Sequence, residues 1–488
     1  MSTSSVPSRA RRVKPTGGCG TLDSPWTGWE SQLEGGSPGG EAVLLAPGFY
    51  GVTRPVRLAS DTRLMGDATE EGRAWFLPIA PAAKLPALFL VDGAHDVTIS
   101  GVCFNGRTTG ARFGVLIRCG TKVQLTGCRF GDFHLEGGAA IAASGESSDR
   151  YVKSVVLQAC HFVNGATGLQ LGPDASDFLV TDCRFEENEG PALSVDPKDQ
   201  WCDFGLIFVK NRIVCSSGVS RAACVRILPG AEGIRFAENT IEGARDRTPE
   251  GGAAQTGIEI RGGGPMSRRR VEVMLNRVRD MTGPGISARQ CGPGFLAAGN
   301  QVYRCGTKDQ ASIDLVACHG VLVEDNEVVE PIGPGIGAHD CSGTRLNGNE
   351  VIGNADAIHP RGGSHGLWIR GDGSRRIRVT DNKVSSVRDH GLRVDDAREI
   401  RIVGNEVADC GSGIAVGAAR SFLLVGNDCR DNGKYGIRVE PTATRGFVAL
   451  NYAILNGTVD LEVAGERVRC RNNKVDRNGT RSAALEGA

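Results

Sequence analysis

The sequence is poor in aromatic residues, with five Trp and five Tyr among 488 residues. So few flat side chains argue against a protein that grips sugars mainly by ring stacking. It lacks an excess of charge of either sign, with 56 basic and 56 acidic residues. That balance disfavours a dedicated nucleic-acid binder or a polybasic membrane binder. No apolar run reaches the roughly 18 residues of a membrane-spanning helix. Arg9, Arg11, Arg12 and Lys14 open the chain, but no apolar stretch follows them. Neither a secretory nor a twin-arginine leader is therefore read, and the expected compartment is the cytoplasm. The sixteen cysteines include no Cys-x-x-Cys, and the chain is far longer than disulfide-stapled domains.

What is present in quantity is glycine, 69 residues, and one recurring phrase. From Asn211 onward Asn-x-Val/Ile returns again and again, as at Asn300, Asn326, Asn349, Asn382, Asn405 and Asn473. A short apolar strand precedes each, and Gly-Ile-x-Val or Gly-Leu-x-Ile follows. A fixed period of this kind is the mark of a solenoid. Aligned on the slot held by Val102, Cys128, Cys160, Cys183, Asn211, Asn239, Asn276 and their successors, the chain gives about fifteen rungs. Most are spaced by roughly 22 to 28 residues, which suits three short strands and three turns. The strands alternate with period two, as in Gly391-Leu-Arg-Val-Asp395, with Leu392 and Val394 on one side and Arg393 and Asp395 on the other.

The recurring asparagines are read as scaffold, because the side chain bonds to backbone and tolerates left-handed conformations. Cys128, Cys160 and Cys183 fill the same slot, and Cys291, Cys318 and Cys341 fill a second one. Stacked core thiols are expected there; a metal-binding ladder is the alternative. The domain reading is a disordered tail over 1–18, an N-terminal cap and first coil over 19–86, the solenoid over 87–477 and a C-terminal tail over 478–488. The cap includes a helical turn near Trp26 to Leu33 and a buried strand from Ala42 closing on a Pro-Gly turn before Tyr50. Three rungs carry insertions, which become loops on one face. They hold Asp132, His134 and Glu136; Arg245 to Gly252 with Arg268, Arg269 and Arg270; and Asp356, His359, Arg361 and His365.

With Val43-Leu-Leu-Ala-Pro-Gly-Phe-Tyr50, the strand before Gly66 and the repeats in place, the chain resembles the right-handed parallel β-helix superfamily. Its members include pectate lyases, polygalacturonases and mannuronan epimerases. The resemblance covers about residues 40 to 477. It implies an all-β, single-stranded parallel β-helix of about fifteen coils. It further implies a carbohydrate-active protein, a lyase or C5-epimerase acting on an anionic polysaccharide or glycoside. Departures are evident: Asp356-Ala-Ile-His359-Pro only loosely echoes an epimerase Asp-Pro-His segment. Asp395-Asp396 lacks the polygalacturonase context, and no acidic calcium cluster is found. No metal or cofactor is expected.

The outward positions of the Gly-Ile-x-Val strands run as one stripe, since coils stack about 4.8 Å apart. Its middle, from Glu259 to Asp395, is rich in Arg, acids and His. Chemistry at a uronate needs a cation for the carboxylate, a base for the neighbouring proton and an acid. His339 is taken as the base, Arg370 and Arg289 as carboxylate clamps, and Asp314 as orienter or acid, with His359 closing the site from its loop. Arg261, Glu259, Trp368, Arg393 and Asp395 are the further substrate-binding candidates. Charged positions on any solvated strand would also give ordinary cross-strand pairs. The expected partner is an anionic carbohydrate or a small molecule, with no nucleic acid and no membrane. A non-catalytic binding or assembly solenoid, or an intracellular enzyme working on a small molecule in the same groove, are the other readings.

Overall fold

A computed structural model describes residues 10–13, 16–34, 41–66, 73–79, 84–108, 110–198, 201–215, 223–243, 255–262, 270–354, 365–476 and 480–482. Two compact units divide the chain, Met1–Thr240 and Ile241–Ala488. Both are built of coils contributing one strand to each of three parallel sheets, about 15 turns in all. Among the described residues the sole helix is Ser31–Glu34, a single turn with Leu33 buried. None is long and apolar enough to cross a membrane.

In the second unit one coil illustrates the rest. His365–Arg370 lies in the first sheet, Arg378–Thr380 in the second and Lys383–Ser385 in the third. The next coil repeats it in register, Leu367 beside Leu392 and Ile369 beside Val394. These four side chains are fully buried, so the period-two pattern fixes which face points inward.

The asparagine slot lies at the corner between the second and third sheets. Asn276, Asn300, Asn326, Asn349, Asn382, Asn405, Asn427 and Asn451 are all buried there. From Asn300 onward each Oδ1 accepts from the backbone N–H and the side-chain amide of the asparagine one coil earlier, as Asn405 does from Asn382 at 3.0 and 2.9 Å. Each Nδ2 also donates to a carbonyl, as Asn382 does to Leu346 at 3.0 Å. The side-chain amides from Asn300 to Asn451 are thus satisfied without water. The left-handed residue is the one before the asparagine: Asp325, Asp381, Gly348, Gly404 and Gly426 all have positive φ. The asparagine itself does not, because its amide must point along the stack.

In the first unit the same corner holds Cys128, Cys160 and Cys183, all buried, each thiol within reach of a carbonyl one coil earlier. Asn211 Oδ1 accepts from the Cys183 N–H at 2.9 Å, where thiols give way to amides. A column of phenylalanines fills the interior: Phe104, Phe130, Phe162 and Phe185 stack with centroids 4.8, 5.2 and 4.5 Å apart. Most of the few aromatics are thus spent inside, at the coil spacing itself.

Four expectations change. The segment from Ala42 to Tyr50 is two strands, Ala42–Leu44 and Gly48–Val52, on different sheets, because Ala46-Pro47 turns the corner between them. Ala10–Arg12, expected in a disordered tail, pairs parallel with Ala42–Leu44 and satisfies that strand's open edge. Thr480–Ser482, also expected in a tail, pairs with Leu461–Val463 at the other end. Cys215 and Cys224 form a disulfide. Cys128, Cys160, Cys183, Cys291, Cys318 and Cys341 are free and buried, as stacked thiols should be. Arg245 to Gly252, Arg268, Arg269, Asp356, His359 and Arg361 lie outside the described residues.

Candidate functional site

The first sheet of the second unit presents two outward columns. One runs Glu259, Ser287, Asp314, Gly337, Trp368, Arg393 in register. The other runs Arg261, Arg289, Val316, His339, Arg370, Asp395. The sequence register of the stripe is the structural register, and all these positions belong to one continuous sheet.

The columns are not uniform. At the N-terminal end Arg261 Nη2 pairs with Glu259 at 2.9 Å. At the other end Arg393 holds Asp395 at 2.7 Å and also pairs with Glu440. Trp368 donates its indole N–H to Asp395 at 3.0 Å, and the Arg370 guanidinium lies 4.0 Å from the centre of its ring. The Trp368 face is therefore covered by Arg370 rather than open to a sugar.

Between these neutralised ends sits a different environment. Asp314 is 6% exposed and Ser287 beside it 2% exposed. Burial pushes the Asp314 carboxyl above its ordinary range; the Ala311 backbone and the charges of Arg289, Arg370 and His339 pull the other way. The side chains named by the stripe thus act electrostatically on one carboxyl group. Arg289 makes no ion pair among the described residues, and its Nε and the Ser287 hydroxyl are buried without partners there. Gly337 supplies no side chain next to Asp314. A Cβ there would lie 3.5 Å from Asp314 Oδ1 and 3.0 Å from the Ala311 Cβ. Arg370 Nη2 reaches back to the Asp309 carbonyl at 3.0 Å, on the turn that precedes the Asp314 strand.

His339 stands beside Arg370 and is half-exposed. Its Nε2 lies 3.1 Å from Asp340 Oδ2. A proton on Nε2 directed at that carboxylate leaves Nδ1 as the basic nitrogen. His365 and His390, on the same sheet, lie with ring centroids 5.2 Å apart and tilted to each other, and His365 packs edge-on against Trp368. Burial holds His390 down at about 4, with His365 and Arg393 adding to the effect.

Sequence reasoning missed the roles of Ser287, Gly337, Asp309 and Asp340. Ser287 was legible as an outward stripe residue; the others are turn or glycine positions whose reach depends on folded geometry. For a metal, Asp61, His95 and Asp96 of the first unit are close enough to share an ion. All three are exposed, and Lys122 Nζ, 3.5 Å from Asp96, already supplies a cation.

The right-handed β-helix region model matches residues 87–246, 207–372 and 362–488. The chain belongs to that family. The family's fold accounts for the stacked coils and for the columns that line up the site. Similar solved structures include the periplasmic alginate epimerase AlgG, 12% identical over 83% of this chain and 77% of that one, with a TM-score of 0.33. The catalytic domain of a GH87 α-1,3-glucanase is 9% identical over 98% and 70%, with a TM-score of 0.36. The pre-mature bacteriophage phi29 gene product 12 is 10% identical over 93% and 71%, with a TM-score of 0.39. No protein of curated function matches the sequence.

Proposed function

We propose that the protein is an enzyme acting on an anionic carbohydrate, by removing the proton beside a sugar carboxylate. The observation that supports this most is the buried Asp314, its carboxyl pushed above the ordinary range by burial while the charges of Arg289, Arg370 and His339 act on it. Arg289, with no ion pair among the described residues, is suited to hold a carboxylate in its fork. Charge developing on that carboxylate as the proton leaves is stabilised by the same guanidinium and by Arg370. His339, with Asp340 behind Nε2, takes the proton on Nδ1. Asp314, whose hold on a proton burial strengthens, gives a proton to the departing glycosidic oxygen in a lyase, or back to carbon in an epimerase.

The test is a screen of the purified protein on alginate, pectate and other uronans. A lyase produces the ultraviolet absorbance of an unsaturated uronate; an epimerase incorporates deuterium from solvent without cleavage. Asp314→Asn, His339→Gln and Arg289→Ala should each lower turnover by about 100-fold or more with the fold intact. Full activity of all three variants on a verified substrate removes this site from the reaction.

A further inference from the structure

The second sheet of the same unit carries a feature that turnover on the first sheet does not use. Arg345, Arg378 and Arg401 stand in register on three consecutive coils. Beside them Arg375, Arg398 and Arg420 form a second in-register row, one coil further on. All six are exposed, and none makes an ion pair among the described residues. Like charges directly opposite one another on neighbouring strands are destabilising. Two such rows side by side are a cost that the fold does not require, since these positions point to solvent. Along the first row lies a groove of about 640 Å³, lined by Arg345, Arg376, Arg378, Arg401 and Arg445 against the single carboxylate of Glu399. Glu399 is occupied by Arg376 at 3.0 Å.

We infer that this arginine grid is a binding surface for a linear carboxylated polysaccharide lying across the coils, separate from the first-sheet site. Arginine positions recur once per coil, on strands about 4.8 Å apart, on the scale of one sugar residue along a polysaccharide. Each can take a carboxylate through two parallel N–H donors. The ligand's charge then removes the repulsion within the rows. A single-stranded nucleic acid would need aromatic platforms for its bases as well as cations. The groove's one aromatic ring, Phe422, is buried beneath it. The surface thus offers charge and spacing without stacking. The neutral balance of the whole chain conceals it, because acids elsewhere cancel the count.

The test uses the full chain and three probes: polygalacturonate oligomers, neutral dextran and single-stranded oligo-dT. Affinity is measured by calorimetry at low and moderate salt for the parent, for Arg378→Ala/Arg401→Ala and for Asp314→Asn. The parent should bind polygalacturonate and ignore dextran, with affinity falling as salt rises. The double arginine variant should bind at least about tenfold more weakly. Asp314→Asn should keep the parent's affinity at the grid, which separates this surface from the first-sheet site. Circular dichroism confirms that the exposed substitutions leave the fold unchanged. No binding of polygalacturonate by the parent, or an unaltered affinity in the double variant, overturns the inference. Tighter binding of oligo-dT with the same sensitivity to the two substitutions would assign the surface to nucleic acid instead.

Discussion

The Arg370 guanidinium lies 4.0 Å from the centre of the Trp368 indole, two residues along the same strand. Both side chains also hold distant groups, Arg370 the Asp309 carbonyl and Trp368 the Asp395 carboxylate. The pair therefore ties the turn before Asp314 to the ionic cluster at the far end of the stripe. A cation over an indole contributes about 0.5–2 kcal/mol, more as the site is desolvated.

A double-mutant cycle on Trp368→Leu and Arg370→Ala, read by urea unfolding, should show coupling of about 1 kcal/mol. Strict additivity of the two losses would mean that the contact contributes nothing.

Asp314 should make stability depend on pH with a particular sign. Burial raises its folded-state pKa, so between the unfolded and folded values the native protein binds the extra proton. Its contribution is fully present below the unfolded value, near 3.9, and is lost as pH rises through the folded one. Asp314→Asn should therefore gain stability over the parent at pH 7, with the gap narrowing toward pH 4. Denaturant midpoints at both values decide it; a gap of the same size at both refutes the burial argument.

His390 has the opposite dependence. Its folded-state value is about 4 against an ordinary 6.5, so the unfolded chain binds the proton first as pH falls. Stability supported by the neutral ring is present above pH 6.5 and lost progressively down to about 4. His390→Gln should flatten that part of the profile by roughly 2 kcal/mol, allowing for partial solvent screening. A profile as steep as the parent's would place the acid-sensitive group elsewhere.

Within the asparagine ladder, Asn382 receives two bonds from Asn349 and gives bonds to Asn405 and Leu346. Asn382→Ala would leave buried donors without partners on the coil before it. The expected cost is about 3 kcal/mol, since each orphaned buried group costs roughly 1–3 kcal/mol. Asn382→Asp should do no better, because the carboxylate restores the acceptor but loses the donor and buries a charge. A urea midpoint unchanged in Asn382→Ala would mean that water enters the corner and replaces the amide.

The fold was legible because the asparagine and glycine positions report backbone corners, and corners repeat. Asn382 and Asn405 gave the coil boundaries, and Leu392 and Val394 gave the inward face. The stripe followed from that register. Its division did not: Arg393 pairs with Glu440, 47 residues away, and side chains of that reach are not ordered by register alone. Asp314 is approached by the Ala311 backbone and lies beside Gly337, neither of which announces itself as part of a site. The arginine grid did leave a signal. Arg345, Arg378 and Arg401 each precede a ladder asparagine by four residues, a slot that lies on a different strand of the coil from Gly-Ile-x-Val. Cys215 and Cys224 stand off the repeat slots, and a spacing of nine by itself suggests no bridge.

The asparagine ladder of the second unit also has a polarity. Every Oδ1 faces the coil before it, from Asn300 back to Asn276 and from Asn473 back to Asn451. A directional chain of identical couplings can be cut and rejoined at any link. Excising residues 405–426 would bring Asn427 to the place of Asn405, offering the same acceptor to Asn382. The unit is therefore open to growth and shortening by whole coils through duplication or loss of one segment, and the length of its charged surfaces is a quantity that evolution can adjust in single steps.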